Sequence, residues 1–305
     1  MRNGENFLAR ALDSLLGQTF EDFELVVCDN ASSDATEAIC RDYQSRDARI
    51  RYERAEGNRG AIPNFNRVLE LAAAPYFRWA AHDDEIAPEY LEKCVAVLDT
   101  DPGVVLCHSL VRIIDASGQE LSIYDPGLQG ADSASIPERF QSMVLQPHLC
   151  TEIFGLGRTE ALRRSPLEGH FHGNDRAMLA GLVLLGRYHQ ITEPLFWNRE
   201  HGQRYVRRVA PEERGAWAEA GAKRRVGTPT WQLYRHYRAS VSRLVESVED
   251  RRVCHAILRR WWLTNWHAAR VGVEALATLY PPLHRKASAL SQALGHKAPV
   301  PIARD

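Results

Sequence analysis

Lysine is scarce in this 305-residue chain: four residues against 34 arginines. That excess reads as coding-DNA base composition. A nucleic-acid module would mix the two cations with interleaved aromatics, so no nucleic-acid partner is expected. The six cysteines (Cys28, Cys40, Cys94, Cys107, Cys150 and Cys254) form no C-x-x-C pair and lie mostly in apolar stretches. That excludes a disulfide framework and a cysteine zinc site, and it points to a reducing compartment. No apolar run is long enough to span a bilayer, and no signal-peptide pattern follows Met1. The expectation is a soluble, cytoplasmic chain, peripheral at the inner face of the membrane if it meets one. There is no P-loop, no G-x-S-x-G nucleophile elbow and no internal repeat. Those absences exclude a P-loop nucleotidase, a serine hydrolase of the elbow type and a solenoid.

What is present suits an enzyme core. The composition is 45% hydrophobic and 25% charged, enough for one large α/β domain with a smaller appendage. The net charge of -1 conceals two opposed parts. Residues 1–205 carry 20 Lys/Arg against 31 Asp/Glu, and residues 206–305 carry 18 against 8. The division expected is therefore an acidic α/β domain over 1–205 and a basic, mainly helical extension over 206–305. An acidic part can hold a cation beside an anionic ligand, while a basic one can face anionic lipid, a polyanion or simply solvent.

Periodicity fills in the plan. Apolar residues from Phe7 to Leu16 form a helical stripe, and Phe23–Cys28 reads as a buried strand. Ser32, Ser33 and Asp34 supply caps for a helix through Tyr43. Ile50–Glu53 is a second strand, followed by Gly57-Asn58-Arg59-Gly60 and a helix over about 64–73. Tyr76–Ala81 is a third strand, ending in His82-Asp83-Asp84-Glu85. Pro88 opens a helix over 89–98, and Val104–Cys107 is a fourth strand. Later segments are a hairpin turn at Ser117-Gly118, helices over 138–145 and 175–185, and a strand over 188–191. Helices follow from residue 212, and residues 292–305 read as a frayed tail. Strand–helix alternation of this kind argues for a mostly parallel sheet covered on both faces, with ligands beyond the strands' carboxyl ends.

Two acidic loops sit at such ends. The adjacent carboxylates Asp83 and Asp84 repel unless a cation or hydrogen bonds relieve them, and oxygen ligands suit Mg²⁺ or Mn²⁺. The competing reading is helix N-terminal charge ahead of Pro88. Asp29 either accepts from a ribose hydroxyl or base edge, or caps its own turn. Asp175, in His172-Gly173-Asn174-Asp175, is by composition a helix cap. His201 is a metal ligand, a phosphate contact or a surface residue. His148, His170, His172 and His189 show no ligand spacing.

In order and spacing these fragments resemble the family 2 glycosyltransferases over roughly residues 3–205. The carriers are Asn3-Gly4-Glu5-Asn6-Phe7-Leu8, Leu25–Asp34, Asn58-Arg59-Gly60, Asn64-Phe65-Asn66 and Trp79–Asp84. Phe154-Gly155-Leu156, Asn174-Asp175, Gly186-Arg187-Tyr188 and Arg199-Glu200-His201 complete the set. The resemblance implies a GT-A fold, with a Rossmann-like nucleotide-binding half, and transfer of a sugar from a nucleotide-diphosphate donor to an acceptor hydroxyl with inversion. It also implies donor contacts from Asp29, Asp83 and Arg59, and a Mn²⁺ or Mg²⁺ ion on Asp84 with His201 beside the diphosphate. Asp175 would be the general base. The usual D-x-D triplet here is His82-Asp83-Asp84. Family members carry an apolar strand just before the match to Asn3-Gly4, so a sheet without that strand is expected, with neighbouring edges exposed.

The partners implied are a nucleotide sugar, a UDP-sugar foremost, and a glycan or lipid-linked acceptor in surface polysaccharide, glycolipid or glycoconjugate synthesis. Trp261, Trp262 and Trp266 would pack as core, form a homodimer face or touch a membrane surface. The alternative role is a non-catalytic sugar- or nucleotide-binding member of a polysaccharide assembly system.

Overall fold

The computed structural model describes residues 1–167, 173–202, 228–264 and 266–279. Helix α1 (Leu8–Leu16) turns Leu8, Ala11 and Leu12 inward. It leads to β1 (Leu25–Asp29), α2 (Thr36–Arg46), β2 (Ile50–Arg54) and α3 (Ala61–Leu71). β1 and β2 pair in parallel as a two-stranded sheet. On the other side of β1, the Met1 backbone donates to the Cys28 carbonyl at 2.6 Å and accepts from Asn30 N at 2.8 Å. Leu8, Leu12, Val27, Cys40 and Ile50 form the small core of this unit.

The second sheet has six strands. β5 (Val104–Ile114) runs beside β8 (Arg187–Arg199) in parallel. β7 (Leu156–Arg158) pairs antiparallel with β5 near Leu106 and links it to β3 (Tyr76–Phe77). β4 (Glu85–Ile86) pairs antiparallel with β8, and β6 (Glu120–Tyr124) folds back on β5. The α/β class with flanking helices is the expected one, but the sheet is mixed. The reason is local: the Asp115–Gly118 turn, with Gly118 at φ 98, returns the chain antiparallel, and β3 and β4 are two-residue ladders set between loops.

Helix α4 (Tyr90–Thr100) covers one face through Tyr90, Leu91, Cys94 and Leu98. The other face is covered by α5 (Ile136–Leu145), the short α6 (Thr159–Arg164) and α7 (Asn174–Leu185). Every residue of α7 from Ala177 to Leu184 is buried, the pattern of a helix enclosed on all sides. Gly186 ends it where a Cβ would lie 2.3 Å from Val105 Cγ1 and 2.9 Å from the Gly103 carbonyl. No larger residue fits there.

Two long helices, α8 (Pro229–Leu244) and α9 (Val248–Leu263), follow, and then α10 (His267–Leu279). Tyr237 and Val241 of α8 and Cys254, Leu258 and Trp261 of α9 share one core with Phe140, Met143, Leu179 and Val183. Each such apolar side chain contributes about 1.5–3 kcal/mol when fully buried, so α8 and α9 are integral to the packing around α5 and α7. Trp261 is core, Trp262 is half-buried and Trp266 is exposed. The expected boundary at 205/206, the tail over 292–305, and His170 and His172 lie outside the described residues.

Candidate functional site

Asp29 ends β1 with its side chain buried. Oδ1 accepts from Ser32 N at 2.9 Å and Ser32 Oγ at 2.5 Å. Oδ2 accepts from Tyr52 Oη at 2.8 Å and Arg54 Nε at 3.3 Å. The carboxylate thus closes its own loop while forming one wall of a cavity of about 240 Å³. Arg54, Arg59, Pro63, Asn64 and Arg67 are further walls. Arg59 is held there because Asn30 clamps its loop: Asn30 Oδ1 accepts from Arg59 N, and Nδ2 donates to Asn58 Oδ1 and the Gly60 carbonyl. Gly60, at φ 94, makes the turn into α3. Tyr52 and Arg54 gave no motif signal; only the i, i+2 spacing along β2 places them on the same side as Asp29.

The second group lies at the loop after β3. Asp83 Oδ2 meets His201 Nε2 at 2.9 Å, and Asp83 Oδ1 lies 4.0 Å from His82 Nδ1. Burial pushes the Asp83 carboxyl up, but the imidazoles of His82 and His201 outweigh it and hold the group below its ordinary value. The Phe7 ring packs on His201 with centroids 4.6 Å apart.

Asp84 faces elsewhere. Both its oxygens accept from Asn198 Nδ2 at 3.1 Å, and Oδ1 accepts from Arg199 N at 2.8 Å. Its buried carboxylate ties the loop to the end of β8. Arg199 is buried too, donating to the carbonyls of Asp83 and Asp115 and pairing with Glu85. Where the resemblance put the cation on Asp84 beside His201, the geometry puts Asp83 beside His201.

The opening segment joins these two groups. Asn3 N donates to Ser32 Oγ, Gly4 N to Thr36 Oγ1, and Phe7 reaches His201. A Cβ on Gly4 would lie 2.8 Å from the His82 ring. Asp175 stands apart, half-buried in the first turn of α7. The N-cap is Gly173, at φ 101, so Asp175 is not the cap. Its Oδ1 accepts from Arg176 N at 2.8 Å, and the Arg176 guanidinium donates to the His148 carbonyl at 2.7 Å. Among the described residues, no hydrogen bond links Asp175 to the other two groups.

This architecture defines the class first. Staphylococcus aureus TarS residues 1–349, solved with UDP, has the same fold at TM-score 0.62 and 16% identity, covering 87% of this chain and 70% of that one. The mannosyltransferase PcManGT of Pyrobaculum calidifontis, solved with GDP-Man and Mn²⁺, aligns at TM-score 0.56 and 16% identity over 97% and 79% of the two chains. The fold is the GT-A type. The chain belongs to glycosyl transferase family 2, whose sequence profile matches residues 1–171. It is similar to an uncharacterized glycosyltransferase of Methanocaldococcus jannaschii, 30% identical over 40% of this chain and 42% of the relative. Glycosyltransferase GlyA of Streptococcus pneumoniae is 36% identical over 30% of this chain and 13% of its own length. The chain therefore spans less than half the length of these relatives.

Proposed function

We propose that the chain transfers a sugar from a nucleoside diphosphate donor to an acceptor hydroxyl with inversion, in the synthesis of a surface polysaccharide, glycolipid or glycoconjugate. The observation that carries this reading is the Asp83–His201 pair beside the cavity-forming Asp29 loop. Arg59 of that cavity offers a donor's phosphates a cationic partner, whereas Arg54 is paired with Asp29 and Glu37 and Arg67 with Glu53 and Glu70. Asp29 serves the donor mainly by holding Ser32, Tyr52 and Arg54 in place.

A divalent cation fits Asp83 and His201: the carboxylate oxygen and the imidazole nitrogen lie 2.9 Å apart, a separation that adjacent ligands of one Mn²⁺ or Mg²⁺ ion could keep. Among the described residues no cluster of three His, Cys, Asp or Glu could hold a metal. The remaining ligands would be diphosphate oxygens and water, the usual arrangement for such ions. Neutralising the departing diphosphate is what a bound cation supplies. Asp175, at the N-terminal end of α7, accepts the proton of the acceptor hydroxyl as that oxygen bonds to the anomeric carbon from the face opposite the departing diphosphate, whose bond to that carbon breaks.

TarS, solved with UDP and with UDP-GlcNAc, supports a uridine donor; PcManGT keeps guanosine in contention. The test is thermal stability with UDP, GDP and dTDP, each with and without Mn²⁺. One nucleotide should raise the melting temperature only with metal. Asp83→Asn and His201→Ala should abolish that metal dependence. Asp84→Asn should lower the melting temperature of the unliganded protein yet keep the metal dependence. A metal-dependent shift surviving in Asp83→Asn would return the cation to Asp84.

A further inference from the structure

Helix α10 is amphipathic in the wrong sense for a soluble surface. Its inward side carries His267, whose ring stacks on Trp261 at 3.8 Å, and Glu274, whose carboxylate accepts from Thr230 N and Oγ1. The residues turned to solvent are apolar. Trp266 is 80% exposed, Val273 46% and Leu276 57%, and Leu263 at the end of α9 is 87% exposed. Ala269, Val273 and Leu276 recur at the 3.6-residue period, so they form one stripe along the helix, and Trp266 stands just before its first residue. A large side chain is also held out at its head against backbone preference. Trp266 sits at φ 56, a left-handed conformation that bulky residues avoid.

Charge selects among the occupants such a stripe could have. Over α9 and α10 the chain carries five arginines against three carboxylates; Glu249 and Asp250 sit in the first turn of α9, at the far end from Leu263, and Glu274 is already engaged by Thr230. Arg252, Arg259 and Arg260 are exposed. Arg259 and Arg260 lie four and three residues before Leu263, on the same side of α9. A second copy docking stripe to stripe would bring those guanidinium groups together without counter-charges. An anionic lipid surface supplies them, and tryptophan beside arginine is the pairing that a bilayer interface favours.

We propose that the α9–α10 edge is a peripheral docking surface for anionic membranes, with Leu263, Trp266, Val273 and Leu276 entering the headgroup boundary and Arg252, Arg259 and Arg260 meeting lipid phosphates. Among the described residues no helix is long and apolar enough to cross a membrane, so the contact is superficial. α10 packs on α8, and α8 packs on α7, whose first turn holds Asp175. The docked face is thereby connected through two packed helices to the element that would meet the acceptor. The surface does not depend on the donor-site reading, because its test needs neither nucleotide nor turnover.

The full chain is mixed with vesicles of phosphatidylcholine alone, or of phosphatidylcholine with phosphatidylglycerol, and sedimented. Binding is expected only to the anionic vesicles, with a blue shift in tryptophan emission and release by high salt. Trp266→Asp with Leu276→Asp should weaken binding about tenfold or more, and Arg259→Gln or Arg260→Gln about fivefold each. All these side chains are exposed, so the thermal transition should not move. Equal binding by the Trp266/Leu276 variant would overturn the proposal. So would a concentration-dependent dimer, seen by light scattering and lost in that variant, which would assign the stripe to a second copy. Failure of the full chain to bind either vesicle would also overturn it and would mean that the stripe is covered from within the chain.

Discussion

The corner around Asp29 and the helix bearing Asp175 are built by opposite means. The first rests on a two-stranded sheet with a five-residue core, and its shape comes from polar contacts. Four donors converge on Asp29, Asn30 clamps the Arg59 loop, and Asn3 accepts from Ser33 N. The second is enclosed in apolar side chains from α5, α8, α9 and β5. A hydrogen-bonded loop can rearrange around a ligand at modest cost, because each bond contributes only about 0.5–1.5 kcal/mol net. A close-packed helix cannot. Under the proposed function, the contrast suits a donor corner that adapts and a base that stays fixed.

The sharpest way to break this comparison is Asp175→Asn. Turnover should fall about 10²- to 10⁴-fold with donor affinity and melting temperature unchanged, measured by product formation and calorimetry. Loss of donor affinity would make Asp175 part of the donor corner and erase the distinction. Next in size is a pair of truncations. Leu179→Ala, on α7, should cost about 2–5 kcal/mol in denaturant unfolding. Leu12→Ala should fall at the low end of that range, since few apolar neighbours surround it. Equal costs would show that the small core is as tightly packed as the large one.

The mildest effect is a pH slope. Burial lowers the His108 pKa against the opposing charge of Glu152, and burial lowers that of His82 as well. The unfolded chain takes up protons near the ordinary imidazole value of about 6.5, before the folded one does. Stability should therefore hold above that value and decline as the pH falls below it toward the lowered folded values. His108→Phe should flatten the decline more than His82→Gln in melting curves from pH 8 to 5, if the large core is the drier of the two.

Much of this organisation was legible in the sequence. Hydrophobic pattern together with cap and proline signals located α1, α2, α4, α5 and α7 to within a few residues. The strands were harder. Tyr76–Ala81 reads as one strand, yet only Tyr76 and Phe77 pair, since Trp79 turns into the core and donates to the Phe65 carbonyl. β5 and β8 run far past Cys107 and Ile191, because polar residues such as Asn198 and Arg199 are buried and partnered there, and period alone cannot anticipate that. At the site, adjacency made Asp83 and Asp84 look alike. What separates them is which neighbour each faces, and that depends on where β8 ends, 115 residues beyond Asp84.

The six cysteines are all free and all buried. Burial pushes the Cys40 and Cys254 thiols up to about 12, so in the folded protein they are neither ionised nor within reach of a reagent. They are consequently built-in clocks. A thiol-reactive probe can mark Cys40 only when the two-stranded unit opens, Cys94 and Cys107 only when the main sheet does, and Cys254 only when α9 lifts away. Mass spectrometry of the order in which these sites are labelled would time the opening of each unit in the unmodified chain, with no engineered reporter.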